Sequence, residues 1–221
     1  EEAPLSTLMM AEILHEAGVP AGVINVVPGP GTTAGAALAS HMDVNKINFT
    51  GSTVTGRKVI EASASNMKRV AVELGGKSPD IVFADADLDA AATGAAMACF
   101  TNTGQVCFAG TRLFVERSIY DDFVERVAEV GRKLKVGPAL SEESQLGPLA
   151  SQAQLDRVTN YFQVAQEDGA RLVTGGEPLD IGGGFFVPPT VYAGVTNDMR
   201  IAREEIFGPV LAAIPFDTEE E

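Results

Sequence analysis

The sequence predicts an α/β protein in which parallel sheets carry helices on their faces. Short apolar runs alternate along the chain with segments whose apolar residues recur at helical spacing, and turns rich in glycine or proline separate them. Parallel strands need crossover connections, which are usually helices, so this alternation indicates a parallel sheet. The composition, 45% hydrophobic and 21% charged residues, is that of a globular protein.

The first third of the chain is predicted to contain three helices and three strands. Pro4 is suited to a first helical turn, and the helix that it begins should stop before Gly18 and Pro20. A small-residue helix should end at about Ser40, and the next should run from Thr53 to about Ala64. Strands are predicted at residues 23–27, 46–50 and 69–74.

The alternation continues after the glycine pair Gly75-Gly76. Further strands are predicted at residues 80–83 and 111–115, and helices at 88–98, 119–134 and 155–165. The glycines 182–184 and the prolines 188 and 189 then introduce shorter β elements. Because two different sheets could meet at the glycine pair, we expect two domains, residues 1–74 and 75–221.

The charge balance and the cysteine content exclude several classes of protein. Sixteen basic against thirty acidic side chains give a net charge of −14, so the surface should repel nucleic acid and anionic lipid. No apolar span of about 20 residues is present, so no membrane partner is expected. The two cysteines have no zinc or redox spacing, which predicts no metal site. So few thiols favour a reducing compartment and a cytoplasmic protein.

The two cysteines differ in their surroundings. Cys99 falls on the apolar stripe of the helix at 88–98 and should be a small buried hydrophobe. Cys107 follows this helix and lies between Gly104 and Gly110. A thiol there could be exposed at a helix start, where the dipole favours the thiolate. From spacing alone, a buried structural cysteine is an equal alternative.

Glu73 is a candidate general base. It lies at the carboxyl end of an apolar strand, directly before Gly75-Gly76, and sites in open α/β sheets occur at this end of the strands. A carboxylate with apolar surroundings can act as a base. A solvated glutamate at a strand end is the alternative reading.

Two turns could bind a cofactor. Gly51 and Ser52 join a strand to a helix start, where free backbone N–H groups and the helix dipole suit a pyrophosphate. In the segment 204–209, a glutamate could accept hydrogen bonds from a ribose while Phe207 packs beside a ring. Each turn alone is also compatible with an ordinary structural turn.

Together, these segments resemble the aldehyde dehydrogenase superfamily along essentially the whole chain. Residues 72–79, VELGGKSP, resemble its glutamate signature, and residues 104–107, GQVC, resemble its cysteine signature. The segments FTGS at 49–52 and EIFGP at 205–209 resemble two cofactor-site motifs in the same order. The resemblance implies parts of two Rossmann-like open sheets with flanking helices. Members of the superfamily are longer, so we expect a central segment truncated at both ends.

The resemblance also implies roles for individual residues. Cys107 would be the nucleophile, and Glu73 would activate the water that hydrolyses a thioester on it. Glu1 would lie at the adenosine ribose, where a carboxylate repels a 2′-phosphate and thus favours NAD over NADP. The implied cofactor-binding residues are Gly51 and Ser52 at the pyrophosphate, Leu74, Glu205 at the nicotinamide ribose, Phe207 at the nicotinamide end, and Glu1.

The implied reaction is the NAD(P)-dependent oxidation of an aldehyde to a carboxylic acid, which passes through a thiohemiacetal and a thioester. Glu73 favours hydrolysis over transfer to coenzyme A. The full-length protein would be a homodimer or homotetramer, whereas the isolated segment is expected to be inactive. Two alternatives stay open: a cofactor-independent thiol esterase and a non-catalytic binding protein on the same fold. The sequence does not identify the aldehyde.

Overall fold

The computed structural model describes all 221 residues, which divide into two compact units, Glu1–Gly75 and Gly76–Glu221. The division lies next to the domain limit that the glycine pair predicts. No helix in the structure is long and apolar enough to cross a membrane.

The first unit is built on two parallel strands with helices beside them. Strand β1, Lys46–Gly51, pairs in parallel with β2, Arg69–Leu74, from Lys46 opposite Arg69 to Gly51 opposite Leu74. The helices are α1 (Leu5–Glu16), α2 (Ala36–Ser40), which a π-helical turn at Gly31–Gly35 precedes, and α3 (Thr53–Ser63). The predicted elements are confirmed here, with one exception.

The strand predicted at residues 23–27 is wrong. This segment forms turns and irregular backbone, and the Val23 and Val27 side chains are each 66% exposed. An apolar run becomes a strand only when a second strand satisfies its backbone N–H and C=O groups. The two-stranded sheet of this unit contains only β1 and β2, so the run has no strand partner in this chain.

The second unit contains a five-stranded sheet in the order β3-β4-β7-β6-β5. Four strands are parallel, whereas β5 at the edge pairs antiparallel with β6. The strands are β3 (Pro79–Val82), β4 (Arg112–Glu116), β5 (Arg171–Thr174), β6 (Thr190–Ala193) and β7 (Val210–Phe216). The α/β class with parallel sheets is therefore confirmed, with one antiparallel edge.

The last three strands agree with the sequence prediction only in part. Prolines 188 and 189 lead directly into β6, as predicted, whereas the bends at glycines 182–184 are followed only by an isolated bridge between Phe186 and Leu179. No strand is predicted at β5 or at β7, although β7 is the central strand of the sheet, between β4 and β6. Its continuous apolar run, which contains Pro215, lacks the alternation of a half-buried strand because both of its faces are buried.

Helices cover both faces of this sheet. They are α4 (Leu88–Phe100), α5 (Tyr120–Lys133), α6 (Gln152–Glu167) and the short α7 (Arg200–Arg203). Asp87 caps α4 by accepting a hydrogen bond from the Ala90 N–H at 3.2 Å, and Ser151 caps α6 in the same way. These two caps explain where the helices begin.

The core of the second unit has two layers, one on each side of the sheet. Leu211 and Ala213 of β7 pack with residues of α4 and α5, whereas Ala212 and Ile214 pack with residues of α6. Successive residues of a strand point to opposite faces, so one strand contributes to both layers. This double burial gives a rigid sheet from which the connecting loops extend.

We predict that Tyr120→Phe lowers the free energy of unfolding by about 1–2 kcal/mol, because a partly buried N–H group loses its acceptor. The Tyr120 hydroxyl donates to the Ala213 carbonyl at 2.9 Å and accepts from the Gly194 N–H at 2.7 Å. In the variant the Ala213 carbonyl still accepts a hydrogen bond from the Val195 N–H, whereas the Gly194 N–H is left without an acceptor.

Chemical denaturation measures this change. Tyr192→Phe is the matched control, since the buried Tyr192 makes no side-chain hydrogen bond and its substitution should have a much smaller effect. Equal effects of the two substitutions would contradict the role assigned to the Tyr120 hydroxyl.

Candidate active site

Cys107 lies in an exposed turn of the second unit. It follows α4 and a 3₁₀ turn at Thr101–Gly104, and no helix begins at it. The buried alternative is therefore wrong, and so is the expectation of a helix start, because the chain runs from this turn directly into β4. Cys99, in contrast, is completely buried in the core, as predicted.

The backbone before Cys107 has an unusual conformation. Asn102, Thr103 and Gly104 have φ values of 52°, 56° and 68°, all in the left-handed region. A side chain at Gly104 would place its Cβ only 2.1 Å from the Gly208 carbonyl oxygen. The structure therefore requires glycine at residue 104 for two reasons: the positive φ and the close approach of the Gly208 backbone.

Side chains secure the same turn. Asn102 donates from its amide to the Gln105 carbonyl at 3.1 Å, and Thr103 donates from its hydroxyl to the Gly147 carbonyl at 3.2 Å. The Gln105 amide oxygen accepts from the Ala150 N–H at 3.0 Å. The conformation of the segment before Cys107 is thus determined by groups that are distant in sequence.

Helix α6 holds the loop that contains Glu205 and Phe207. The Gln154 amide donates to the carbonyls of Ile206 and Phe207 at 3.0 and 2.8 Å, and the Arg157 guanidinium donates to those of Ile206 and Glu205. These bonds stabilise a backbone in which Phe207 has a φ of 62°. Gln154 and Arg157 belong to no recognisable motif, so sequence reasoning missed them.

The two adjacent glutamates of this loop have different partners. Glu205 accepts a hydrogen bond at its Oε1 from the Gly76 N–H, at 3.2 Å. Glu204 instead pairs with Arg200 at 3.1 Å and accepts from the Tyr161 hydroxyl at 2.7 Å. Hydrogen bonds from Arg200 and then Tyr161 lower the pKa of Glu204. Glu205 is therefore the glutamate that belongs to the candidate site.

Gly76 connects the three motif segments of the second unit. Besides its bond to Glu205, it lies so close to the Cys107 carbonyl oxygen that an added Cβ would be 3.2 Å away. Gly104 contacts Gly208 in the same region. The structure thus brings together the beginning of the GKSP segment, the GQVC turn and the EIFGP loop.

Lys77 is a half-buried charged residue to which the sequence motifs assigned no role. Its Nζ is buried and has no hydrogen-bond partner in the protein. Burial lowers the pKa of Lys77 to about 8, and the nearby Arg112 charge lowers it further, whereas Cys99 and, to a smaller extent, the Glu205 carboxylate oppose the decrease. Lys77 therefore belongs to the electrostatic environment of Glu205.

The remaining predicted residues belong to the first unit. Ser52 is the N-cap of α3: its Oγ accepts from the Thr55 N–H at 3.2 Å. Gly51 precedes it at the end of β1, and Leu74 at the end of β2 packs against Gly56 of α3. Glu73 is exposed at the end of β2, which differs from the apolar surroundings that the sequence suggested.

A cavity of about 490 Å³ lies beside β1 and α3 in the first unit. Glu1 lies at this cavity, and its carboxylate accepts a hydrogen bond from the Gly31 N–H. The lining is apolar on one part, with Leu38, Ile47 and Val59, and polar on another, with Asn48, Thr55 and Lys58. An apolar cavity with a few polar groups at its edge is typical of small-molecule sites.

The chain is similar to known proteins over its whole length. The model of the aldehyde dehydrogenase family matches residues 1–221. Betaine aldehyde dehydrogenase from Mesorhizobium japonicum is 51% identical over 224 residues, which cover 100% of this chain and 46% of that protein. Aldehyde dehydrogenase 1A1 from Gallus gallus is 49% identical over 222 residues, which cover 100% of this chain and 43% of that protein.

Solved structures show the same relationship. The indole-3-acetaldehyde dehydrogenase AldA of Pseudomonas syringae, a mutant in complex with NAD⁺ and IAA, superposes with a TM-score of 0.96 at 50% identity and covers 98% of this chain and 44% of that one. KauB from Pseudomonas aeruginosa gives 0.95 at 51% identity, with the same coverage. The chain belongs to the aldehyde dehydrogenase family and has its α/β fold. It spans less than half the length of these relatives.

We predict that Gly104→Ala lowers the free energy of unfolding by about 2–4 kcal/mol, because alanine is strained at this φ and its Cβ would clash with backbone. Gly94→Ala is the control, since Gly94 is an exposed glycine of α4 with nothing within 4 Å of an added Cβ. That substitution should stabilise the protein by about 0.5–1 kcal/mol through helix propensity. Denaturant titration distinguishes the two, and similar values would contradict the close packing at Gly104.

We also predict that Lys77→Met stabilises the protein near pH 7. The pKa of Lys77 is about 8 in the folded state and 10.5 otherwise, so the unfolded chain binds more protons between these values and stability rises with pH there. This difference in pKa corresponds to a free energy of unfolding that is about 3 kcal/mol lower in the wild type below pH 8.

Thermal unfolding of both proteins from about pH 7 to about pH 11 measures this linkage. The stability advantage of Lys77→Met should shrink as the pH rises through the interval between the two pKa values. Lys133→Met, which changes an exposed lysine of α5, should alter neither the stability nor its pH dependence. A constant advantage of Lys77→Met at every pH would refute the burial of a charged ammonium.

Proposed function

We propose that the protein to which this chain belongs is an NAD-dependent aldehyde dehydrogenase that oxidises an aldehyde to the carboxylic acid. The observation that carries the proposal is the exposed Cys107 in a turn that packs against Gly76, whose N–H is bonded to Glu205. Its relatives at about half identity over the whole chain support the same activity. The proposal covers the full-length protein, and we infer that the isolated segment is inactive.

The residues present fit a dinucleotide cofactor. The apolar part of the cavity in the first unit suits an adenine ring, and Glu1 would accept from the adenosine ribose. Ser52 stands at the start of α3, where first-turn N–H groups have no intrahelical partners and suit a pyrophosphate. Gly51 allows close approach at this turn, and Leu74 would line the site. NAD, when bound, accepts the hydride of the substrate.

The other half of the cofactor would be held by the second unit. Glu205 would accept from the nicotinamide ribose through the carboxylate oxygen that Gly76 leaves free, and Phe207 would pack at the nicotinamide end. The carboxylate of Glu1 disfavours a 2′-phosphate by charge repulsion, so we propose NAD in preference to NADP. The NAD⁺ complex of the AldA structure supports this choice.

Cys107 would act as the nucleophile. Its sulfur attacks the aldehyde carbonyl carbon and forms a C–S bond, which gives a thiohemiacetal and then, after hydride loss, a thioester. The Cys107 N–H donates to no other group of the chain and is available to stabilise the oxyanion. Covalent attachment divides a difficult oxidation into two accessible steps.

Glu73 would act as the general base. It takes a proton from the water that attacks the thioester carbon, and the C–S bond then breaks to release the acid and restore Cys107. It could also take the thiol proton in the first step. A base that activates water favours hydrolysis over transfer to coenzyme A.

The substrate class that we propose is an aldehyde with an apolar body. Phe108 and Met97, near Cys107 in sequence, are 76% and 42% exposed and would offer apolar contact area. The full-length protein would form a homodimer or homotetramer, and we propose a cytoplasmic location from the cysteine content.

We predict that Cys107→Ala abolishes aldehyde-dependent NADH formation by the full-length protein, because no nucleophile remains to form the thiohemiacetal. NADH absorbance with a panel of aldehydes is the measurement. Cys99→Ala is the control: it removes the buried thiol, which should leave turnover close to that of the wild type. Retention of turnover in Cys107→Ala would overturn the mechanism.

We predict that Glu73→Gln keeps a rapid burst of NADH but slows steady-state turnover by about 10²–10⁴-fold, the usual contribution of a general base. Stopped-flow absorbance resolves the two phases, and Glu61→Gln, on the exposed surface of α3, should behave as the wild type. Hydrolysis of activated esters that persists after the Gly51-Ser52 turn is rebuilt, without any NADH formation, would favour the thiol esterase instead.

A further inference from the structure

One face of α6 contacts the loop that carries Glu205. Gln154, Arg157 and Tyr161 follow one another at intervals of three and four residues, which places them on the same side of the helix. Gln154 and Arg157 donate hydrogen bonds to backbone carbonyls of the loop. The Tyr161 hydroxyl instead donates to the Glu204 carboxylate, at 2.7 Å from Oε2. The proposed reaction assigns no role to Tyr161 or to Glu204.

Tyr161 provides a rigid anchor for this carboxylate. The residue is only 6% exposed, and the Arg157 guanidinium lies over its ring, 5.4 Å from the centroid. The Arg200 guanidinium of α7 holds the same carboxylate through both of its oxygens, at 3.2 Å from Oε1 and 3.1 Å from Oε2. Two charge-assisted partners from different helices leave the Glu204 side chain a single direction.

The extended backbone at Glu204 transmits this direction to Glu205. Glu204 has a φ of −105° and a ψ of 138°, and in extended backbone successive side chains point to opposite sides. Because Glu204 points to α6, Glu205 points away from it, and its Oε1 accepts from the Gly76 N–H at 3.2 Å. The two neighbours are chemically identical, so the anchor on Glu204 also determines which carboxylate is bonded to Gly76.

We propose that Tyr161 is a positioning residue for NAD: by anchoring Glu204, its hydroxyl fixes the direction of the Glu205 carboxylate that would accept from the nicotinamide ribose. This inference rests on the proposed function, which makes Glu205 the group that binds the ribose. An acceptor whose direction is already fixed loses less side-chain entropy when the ribose binds. The affinity for NAD should therefore depend on the Tyr161 hydroxyl, although that hydroxyl is bonded to Glu204 and acts only through it.

The experiment is calorimetric titration of the full-length protein with NAD and, separately, with ADP. Tyr161→Phe should lower the affinity for NAD about fivefold to tenfold, an effect of the size that one lost hydrogen bond produces. In the proposed mode of binding, ADP lies in the first unit and does not reach Glu205, so its affinity should stay unchanged.

Two variants of Glu204 test the same anchor on a side chain that is 43% exposed, so that folding does not depend on it. Glu204→Gln keeps an amide oxygen that accepts from Tyr161, and its affinity for NAD should stay within about twofold of the wild type. Glu204→Ala removes the acceptor and should lower the affinity at least as much as Tyr161→Phe.

Two further variants separate positioning from stability. Tyr120→Phe also removes a buried tyrosine hydroxyl, but one bonded to Ala213 and Gly194 rather than to the loop. It should therefore lower stability without lowering the affinity for NAD. Glu205→Ala removes the group through which Tyr161 acts, so Tyr161→Phe should cause no further loss of affinity in that background.

The outcomes separate this inference from the proposed function. If the wild type does not bind NAD, the proposed function fails and the inference falls with it. If NAD binds but Tyr161→Phe keeps the wild-type affinity, or loses affinity for ADP to the same extent, the inference alone is overturned. An equal loss in Tyr120→Phe, or a further loss when Tyr161→Phe is added to Glu205→Ala, would overturn it in the same way.

Discussion

The close backbone contact between Gly104 and Gly208 is the constraint on which the candidate site depends. An added Cβ at Gly104 would lie 2.1 Å from the Gly208 carbonyl oxygen, so no other residue allows the two segments to approach so closely. Because Cys107 follows one segment and Glu205 precedes the other, this contact sets the position of the thiol relative to the carboxylate. Hydrogen bonds from α6 then fix the loop of Glu205.

The rigid sheet of the second unit supports this arrangement. Strand β7 contributes alternate residues to both core layers, and the loop that precedes it carries Glu205. A strand buried on both faces cannot shift its register without moving its whole apolar set. The loop that carries Glu205 therefore ends at a strand whose position is fixed, and a fixed position is what a preorganised site needs.

Lys77 lowers the stability of the region around the candidate site. An ammonium without a hydrogen-bond partner destabilises the fold below its pKa of about 8. Strained or poorly satisfied groups are common at functional sites, where the surrounding structure compensates for them.

The sequence by itself determined the α/β class and the order of most elements, because periodicity and turn residues are local signals. The candidate residues Cys107, Glu73 and Glu205 came from the resemblance of four motifs. The sequence prediction was wrong at residues 23–27 and missed β7. At both places, the presence or absence of a neighbouring strand determines whether an apolar run forms a strand. The exposure of Cys107, the hydrogen bond from Gly76 to Glu205 and the burial of the Lys77 Nζ emerged only in the tertiary structure. These properties depend on hydrogen bonds and desolvation by residues distant in sequence, such as Gly76 for Glu205 and Arg112 for Lys77.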